Sequence, residues 1–448
     1  MEFKKIIESF KQKLSENQAP EFEIYLSREE EVEAEVKDQK PHAFNASQSI
    51  GLALRVIVDQ KLGFAFTTDF SSESISKTVE RALETSRYSH RREFLSLTKP
   101  DDKQDEKIDL KDFDPQFAKT SEQIRIHKAL EMEKAALSVD SRLTKVRGAS
   151  YTGSLSETYL VNSWGLEKHY QKTMNVLSLM AVAEEGEESE GVFEFDFSPS
   201  LDTLSPEAVG IKAAKKALRY LGGRPGPTLK CPVILDPLVA AEILEVLAPS
   251  FYADALLKKK SLFEGMQGQS VLSSQISLID DGRLVSGYAS FPFDAEGVAT
   301  QKTMVVEKGI FKNCLADREY GARLGCGSTG SSERESIKAP PQISYSNFYL
   351  QPGSLSFEEI LKQNKQAIYM TELIGMHTAN PISGDFSVGA QGFWVEGGEI
   401  RYPLKQMALS GNLKEMLNRV QALGSDLRYY FKLGAPSLLI SEMDVAGA

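Results

Sequence analysis

The sequence contains few of the residues that bind transition metals in enzymes. Among its 448 residues are five histidines and three cysteines, Cys231, Cys314 and Cys326. A low and odd cysteine count without a Cys-x-x-Cys pair indicates neither a disulfide framework nor a zinc ribbon. No histidine is followed by glutamate, and none occurs between residues 170 and 376. A reducing compartment fits this composition, so we expect a cytoplasmic protein.

Long apolar runs and an excess of basic residues are also absent. No apolar run approaches the roughly 20 residues that a membrane-spanning helix requires. The start of the sequence lacks the apolar core of a signal peptide, and its apolar residues follow helical spacing instead. The net charge is −11, whereas a nucleic-acid surface needs basic side chains to displace counterions. We therefore expect neither a membrane nor a nucleic-acid partner.

Hydrophobic periodicity predicts an α+β fold whose two halves differ. Over residues 1–222, helical and strand-like segments alternate, which favours an N-terminal α+β region with helices layered on strands. Within it, the polar segment 96–118 predicts a linker between a first subregion at about 1–95 and a second at about 119–222. The charge run at 184–191, EEGEESEG, predicts a solvated loop.

A segment rich in glycine and proline, GGRPGP at 222–227, predicts the main domain boundary. The domain that follows, 228–448, opens with a predicted helix over 236–260 and becomes strand-rich beyond about residue 270. Tight turns at 307–309 and 397–398 follow Val-Glu steps and predict antiparallel hairpins. We expect a C-terminal domain dominated by antiparallel strands, arranged as a barrel-like or sandwich sheet, with few helices.

The most informative stretch lies at 370–403 and reads MTELIGMHTANPISGDFSVGAQGFWVEGGEIRYP. Glycines interrupt every helical stripe in it, and its apolar residues fall in short runs typical of strands. Backbone without side chains also permits the close approach of another chain. The stretch therefore predicts a surface suited to docking an extended peptide or a partner by strand addition. Its candidates for contact with a substrate or partner are Glu372, His377, Asp385, Phe386, Gly389 and Gly392.

Several strings of the carboxy-terminal half, taken in order, resemble the TldD/PmbA family, and specifically its PmbA (TldE) branch. The stretch at 370–403 is similar to the signature that this family carries near its C-terminus. The other strings are FDAEGVATQKT at 293–303, GNLKEM at 411–416 and GAPSLLI at 434–440. The amino-terminal half resembles the family in layout more than in motif. The resemblance implies a cytosolic peptidase scaffold, which also carries the older label modulator of DNA gyrase.

The metal site that the resemblance leads one to expect is missing from the sequence. In the TldD branch, a His-Glu-x-x-x-His motif on a helix and a later cysteine bind zinc, which activates the attacking water. The helix in the corresponding place, 236–260, reads AAEILEV at 240–246, and LGSD at 423–426 lacks the cysteine. Glu242 and Glu245 remain, either as relics of a catalytic glutamate or as an ordinary solvated helix face. We expect no catalytic residue, metal ligand or cofactor in this chain.

By resemblance, the chain is a metal-free subunit that pairs with a TldD-type metal-binding subunit. Zinc is then expected in the partner, and the heterodimer cleaves unfolded or leader peptides. The alternative is a non-proteolytic homodimer that binds and regulates another protein. A third interpretation is an independent hydrolase that uses a serine, or Cys326 in the loop GCGSTGSS at 325–332. The sequence leaves these alternatives open.

Overall fold

The amino-terminal half is organised around one long antiparallel sheet. The computed structural model describes residues 2–100 and 108–447. The helices and strands of this half are α1 (Glu2–Glu16), β1 (Glu21–Lys37), β2 (Lys40–Val58), β3 (Lys61–Thr67), α2 (Ser72–Tyr88), α3 (Glu122–Leu137), β4 (Leu143–Asn162), β5 (Glu167–Glu185), β6 (Glu188–Ser198) and α4 (Pro206–Tyr220). The six strands lie in the order β3-β2-β1-β4-β5-β6, and each neighbouring pair is antiparallel.

Two pairs of helices cover this sheet and bury its apolar side chains. Helices α1 and α2 pack on β1 to β3 through a core that includes Phe10 and Leu54. Helices α3 and α4 pack on β4 and β5 through a second core that includes Met132 and Leu177. The helix starts follow from local chemistry, because the side chain of Ser71 accepts a hydrogen bond from the first turn of α2. The predicted α+β region is therefore confirmed.

The structure bears on two further predictions for this half, the loop at 184–191 and the linker at 96–118. The charge run at 184–191 is not a loop, because β5 continues through Glu185 and β6 begins at Glu188. The charged side chains of this hairpin are all exposed or partly exposed, so they remain hydrated while the backbone pairs at the edge of the sheet. Within the predicted linker 96–118, residues 101–107 lie outside the described part of the chain. Leu97 and Leu110, on either side of that gap, are buried.

The carboxy-terminal half begins with an extended segment and a helix and is then dominated by strands. Its elements are β7 (Arg224–Pro225), β8 (Leu229–Leu235), α5 (Pro237–Leu247), α6 (Ala253–Leu257), β9 (Leu278–Asp281), β10 (Lys302–Glu307), β11 (Ile310–Phe311), α7 (Arg318–Leu324), β12 (Ser332–Glu333), β13 (Gln342–Ile343), β14 (Phe348–Leu350), α8 (Phe357–Lys362), β15 (Gln366–Ile374), β16 (Asp385–Glu396), β17 (Glu399–Asn412), α9 (Leu413–Asn418), β18 (Val420–Leu423), β19 (Arg428–Tyr430), β20 (Leu433–Ala435) and β21 (Leu438–Ala446).

Five of these strands close into a barrel. The order is β21-β8-β15-β16-β17, and β17 pairs back onto β21. A second, open sheet of short strands follows the order β11-β10-β9-β14-β20-β19. The two alternatives predicted for this half were a barrel-like and a sandwich sheet, and the closed barrel is the one that forms. Closure removes the unpaired edges of these strands.

The predicted hairpins are confirmed, and their turns explain the glycines. Gly397 and Gly398 have φ angles of 61° and 77°, the combination that a two-residue turn between twisted antiparallel strands requires. The turn joins β16 to β17. At the other Val-Glu step, Lys308 and Gly309 also have positive φ, and they join β10 to β11.

The helix predicted over 236–260, with Pro249 expected to kink or end it, is interrupted beside that proline. Helix α5 ends at Leu247, a 3-10 turn covers Ala248–Phe251, and α6 is a separate short helix. Pro249 explains the break, because proline has no N–H to donate and its ring clashes with the preceding turn. The outward face of α5 is therefore three turns long at most.

A buried ion-pair network joins the two halves. Glu23 of β1 is fully buried and accepts hydrogen bonds from Arg55, at 2.9 and 2.7 Å, and from Arg334, at 2.7 Å. Arg55 also contacts Glu296, at 3.2 Å. Near this network, Lys172 donates to the carbonyl oxygens of a loop at 287–290. Among the described residues, no helix combines the length and the apolar character that crossing a membrane requires.

Candidate functional site

The candidate site is built around the one face of α5 that other elements leave open. The helix packs against the barrel through β8 and β15, and against the second sheet through β14, β19 and β20. Its buried residues, Val239, Ile243 and Leu247 among them, face these neighbours. Leu238, Glu242 and Glu245 are three or four positions apart and so share the remaining face.

A cavity of about 360 Å³, which we call the main cavity, lies beside this face. It is placed at the junction of the two halves, because β6 and α4 form one wall and α5, β15 and β19 form the other. Its volume is within the range of small-ligand sites, about 300–1,000 Å³. The side chains that line it are mostly aromatic or charged: Phe193, Glu194, Phe195, Lys216, Arg219, Tyr220, Asp236, Leu238, Glu242, Tyr369, Glu372, Phe393, Arg428 and Tyr430.

The aromatic wall of the main cavity includes Phe193 and Phe195 of edge strand β6 and Tyr430 of β19. Phe193, Phe195 and Phe197 alternate along β6 and therefore project on one side of it. The ring of Phe195 stacks on that of Phe431, with centroids 4.7 Å apart and planes 6° from parallel. Phe193 stays 55% exposed. The cavity therefore presents apolar ring surface to an incoming ligand.

Two of the cations that line the main cavity, Lys216 and Arg428, are paired with Glu194. Glu194 is 2% exposed, and its carboxylate contacts Lys216 Nζ at 2.8 Å and also the guanidinium of Arg428. Burial opposes ionisation of Glu194, but the hydrogen bond from Arg428 and the charge of Lys216 outweigh it and lower its pKa to about 2. Arg428 also donates to the Phe195 carbonyl oxygen, at 3.2 Å. These contacts hold β6 against the second sheet.

The acidic side is unpaired. Glu242 Oε2 is buried and has no hydrogen-bond partner among the described residues. Burial, followed by the negative charges of Glu372, Glu245 and Asp236, raises the pKa of Glu242 to about 7. Partial burial and the charge of Glu190 also raise the pKa of Glu372. These acidic residues are therefore close enough to repel one another.

Two further cavities adjoin the main cavity along α5. One, of about 490 Å³, is lined by Glu242, Glu245 and His377. The other, of about 370 Å³, is lined by Glu242, Glu245 and Tyr288. Glu242 borders all three cavities, and we call these three cavities together the α5 groove. The structure encloses part of the Glu242 carboxyl, for which the sequence left open a relic of a catalytic glutamate and an ordinary helix face.

The structure divides the predicted contact residues into two groups. Glu372 and His377 line the α5 groove. Asp385 lies away from it, at the start of β16, where its carboxylate accepts a hydrogen bond from Asn412 at 2.9 Å. The remaining three belong to the barrel wall: Phe386 and Gly392 are buried, and Gly389 is partly buried.

The predicted docking by strand addition at 384–400 conflicts with the closed barrel. Strand β16 pairs with β15 along one side and with β17 along the other. No unpaired edge is left there for another chain. The glycines serve packing instead, since a Cβ on Gly392 would lie 2.2 Å from the carbonyl oxygen of Tyr369.

Sequence reasoning missed the wall that the amino-terminal half contributes. Phe193 and Phe195 of β6 and Arg219 and Tyr220 of α4 lie more than 140 residues before the 370–403 stretch. The alternation FEFDF at 193–197 was the available signal, because period-two aromatic residues indicate a strand face with a partner. Nothing in the local sequence reveals that this face meets α5.

The residues of the groove do not fit a zinc ion. Its potential ligands are the carboxylates of Asp236, Glu242, Glu245 and Glu372 and the single imidazole of His377. Zinc sites of peptidases use neutral imidazoles with a carboxylate or thiolate at tetrahedral spacing. In the described ranges 2–100 and 108–447, no group of three or more His, Cys, Asp or Glu side chains is placed to hold a metal ion.

Sequence comparison relates the whole chain to one family. Residues 22–86 match the description PmbA/TldA metallopeptidase domain 1, residues 100–221 match the central domain, and residues 228–447 match the C-terminal domain. The Metalloprotease PmbA of Escherichia coli O157:H7 is 30% identical over 413 residues, which cover 90% of this chain and 87% of that protein.

Solved structures show the same fold. A candidate modulator of a DNA gyrase from Thermotoga maritima superposes with a TM-score of 0.90 at 26% identity, covering 99% of this chain and 100% of that one. TldE from Thermococcus kodakarensis superposes with a TM-score of 0.88 at 23% identity, covering 98% and 100%. The second likeness, at its lower identity, concerns the fold alone.

Proposed function

This chain belongs to the PmbA/TldD metallopeptidase family, and from that membership we propose that it is the metal-free subunit of a two-chain peptidase. Its partner is a TldD-type chain that holds zinc on a His-Glu-x-x-x-His helix. Together the two chains cleave unfolded or leader peptides in the cytosol. This chain supplies a binding surface for the peptide and one wall of the chamber that the two subunits enclose. The partner supplies the metal-bound water.

The observation that carries this proposal is the chemistry of the α5 groove. The groove has the size and the mixed aromatic and charged lining of a ligand site, yet its side chains do not fit zinc. A peptidase-family scaffold that keeps such a site without metal ligands is suited to a binding role beside a metal-bearing relative. Glu372 and His377 are the residues we propose for contact with the peptide.

The decisive experiment isolates this chain gently from its own cells by affinity, then analyses the eluate for zinc and for co-purifying polypeptides. We expect a second polypeptide in roughly equal amount, bearing His-Glu-x-x-x-His and zinc. The eluted pair should cleave an unfolded peptide, and a chelator should stop the cleavage. The chain purified alone should hold no stoichiometric zinc and cleave nothing.

Two results would overturn the proposal in different ways. Tight zinc and chelator-sensitive cleavage by this chain alone would make it a peptidase in its own right. Elution alone and without metal, with the TldD-type relative equally active in cells lacking this chain, would establish the homodimeric binding protein instead.

A further inference from the structure

The main cavity leaves three charged side chains without an ion-pair partner among the described residues. They are Glu242 and Glu372 on one wall and Arg219 on the other, whose guanidinium lies 4.8 Å from the Phe393 ring centroid. Every other charge in the cavity is matched. Glu194 is held by its two basic neighbours, and Asp236 accepts hydrogen bonds from the Tyr369 hydroxyl and from a backbone N–H.

The surroundings of the Glu242 side chain favour the binding of a ligand. Its Oε2 atom is withdrawn from solvent and accepts no hydrogen bond within the described ranges. A buried acceptor left unsatisfied destabilises a fold by roughly 1–3 kcal/mol. The charge of Glu372 adds repulsion. A donor that carries positive charge removes both penalties at once, because it supplies the missing hydrogen bond and neutralises the repulsion.

The rest of the lining indicates what such a donor is attached to. Phe193, Tyr220 and Phe393 line the same cavity as the two carboxyls, and the guanidinium of Arg219 already lies against the Phe393 ring. Ring faces attract a cation within about 6 Å and also bury hydrocarbon. The space is too small for a folded chain and large enough for the end or one long side chain of a peptide.

We propose that the main cavity binds a primary ammonium group of a peptide between Glu242 and Glu372. The ammonium comes from the amino terminus of the peptide or from a lysine side chain. The hydrocarbon next to it packs on the aromatic wall. That the ligand is a peptide rests on the proposed function; the preference for an ammonium group rests on the cavity alone.

The test is calorimetric titration of the purified full chain with three synthetic peptides. The first is Leu-Phe-Ala amide, which has a free amino terminus and no other charge. The second is its N-acetylated form, and the third is N-acetyl-Ala-Phe-Lys amide, which carries its only ammonium on lysine. We expect the acetylated first peptide to bind at least about tenfold more weakly than the tighter of the two charged peptides. Whichever charged peptide binds tighter identifies the source of the ammonium.

Matched variants locate the binding. Glu242→Gln keeps the shape of the side chain and removes its charge, so the affinity for the charged peptide should fall at least about tenfold. Glu80→Gln changes an exposed residue of α2 away from the three cavities, and it should bind as the original chain does. Arg219→Gln removes the cation of the opposite wall and should leave the affinity unchanged or raise it.

Several results would refute the assignment. They are equal binding of the acetylated and charged peptides, unchanged binding by Glu242→Gln, or no binding of any of the three peptides. Loss of affinity in Arg219→Gln as large as in Glu242→Gln would assign the cavity to a zwitterion instead. The titrations need neither partner nor zinc. A failed pull-down with ammonium-selective binding therefore refutes only the two-chain proposal, and an active zinc-bearing pair without this selectivity refutes only the cavity assignment.

Discussion

Glu242→Gln should make the protein more stable in alkaline solution while leaving it nearly unchanged in mild acid. The pKa of Glu242 rises from its ordinary value of 4.5 to about 7 on folding, so the native state holds a proton that the unfolded state releases between these values. Stability contributed by the protonated form is therefore present below pH 4.5 and is lost as the pH rises to 7. Glutamine is neutral throughout and avoids the loss.

The size of the effect follows from the same two values. At about 1.4 kcal/mol for each pKa unit, the rise corresponds to about 3 kcal/mol at pH 8. Because the side chain is only partly buried, solvent screening reduces this upper bound, and we expect about 1–2 kcal/mol. The charges that raise this pKa are those of Glu372, Glu245 and Asp236, while Lys216, Arg219 and Arg428 line the same main cavity and His377 lines an adjoining one.

Thermal unfolding at pH 5 and pH 8 measures this difference. For a cooperative unit of the size of the carboxy-terminal half, 1–2 kcal/mol corresponds to a rise in Tm of about 2–8 °C for Glu242→Gln at pH 8. The rise at pH 5 should be clearly smaller. Glu80→Gln, at an exposed position of α2, should change Tm little at either pH. An equal or lower Tm of Glu242→Gln at pH 8 would refute the reasoning.

Three further predictions concern other parts of the fold. Gly392→Ala should lower the free energy of unfolding by at least about 2 kcal/mol in denaturant titration, because its Cβ meets the Tyr369 carbonyl oxygen at 2.2 Å. Diamide, which accepts two hydrogen atoms, should form a disulfide between Cys314 and Cys326, whose sulfur atoms are 3.8 Å apart. The mass of the intact protein should then fall by two hydrogens, and one free thiol should remain. Glu23→Gln should lower the free energy of unfolding, measured by thermal unfolding, by about 3–5 kcal/mol. The substitution removes the charge of a fully buried carboxylate that pairs with two buried arginines.

Each of these predictions has a control in the same chain. Gly191→Ala adds a Cβ whose nearest neighbour is a methionine sulfur at 3.6 Å, so it should be tolerated. Cys326→Ser should abolish the mass change. If the original chain kept three free thiols after treatment with diamide, Cys314 and Cys326 would not come close enough to form a disulfide. Glu29→Gln, on an exposed site of the same strand, should be nearly neutral. Glu23→Gln with an equally small effect would contradict the role assigned to the buried network.

Much of the fold follows from local sequence rules. The hairpin turn at Gly397 and Gly398 needs positive φ, and the start of α2 needs the Ser71 cap; both are visible without tertiary information. The long strands follow from their alternation. The charge run at 184–191 misled because edge strands accept charged side chains that a composition rule assigns to loops. Closure of the barrel depends on the pairing of β17 with β21, which no local rule encodes.

The candidate site was harder to predict, for a physical reason. Glu372 and His377 lie in a stretch whose unusual sequence drew attention to it, and both line the α5 groove. Glu242 looks like an ordinary helix glutamate in the sequence, because residues that share its cavity, Phe195 and Tyr430 among them, come from distant parts of the chain. Burial, and the pKa change that comes with it, are properties of tertiary packing. The sequence therefore identifies Glu242 as a titratable group but does not reveal which side chains surround it.

The way the barrel closes also has a consequence for the order of events during synthesis. Strands β8 and β21 are neighbours in the barrel although some 200 residues separate them. During synthesis, β8 therefore cannot pair with β21 until residues 438–446 emerge from the ribosome. Arg428 and Tyr430, which complete the main cavity, also emerge late. The amino-terminal sheet, by contrast, has all its strands by residue 198. A nascent chain therefore exposes this β8 edge from the synthesis of residue 235 until that of residue 438, which makes residues 229–235 the segment where we expect chaperone binding.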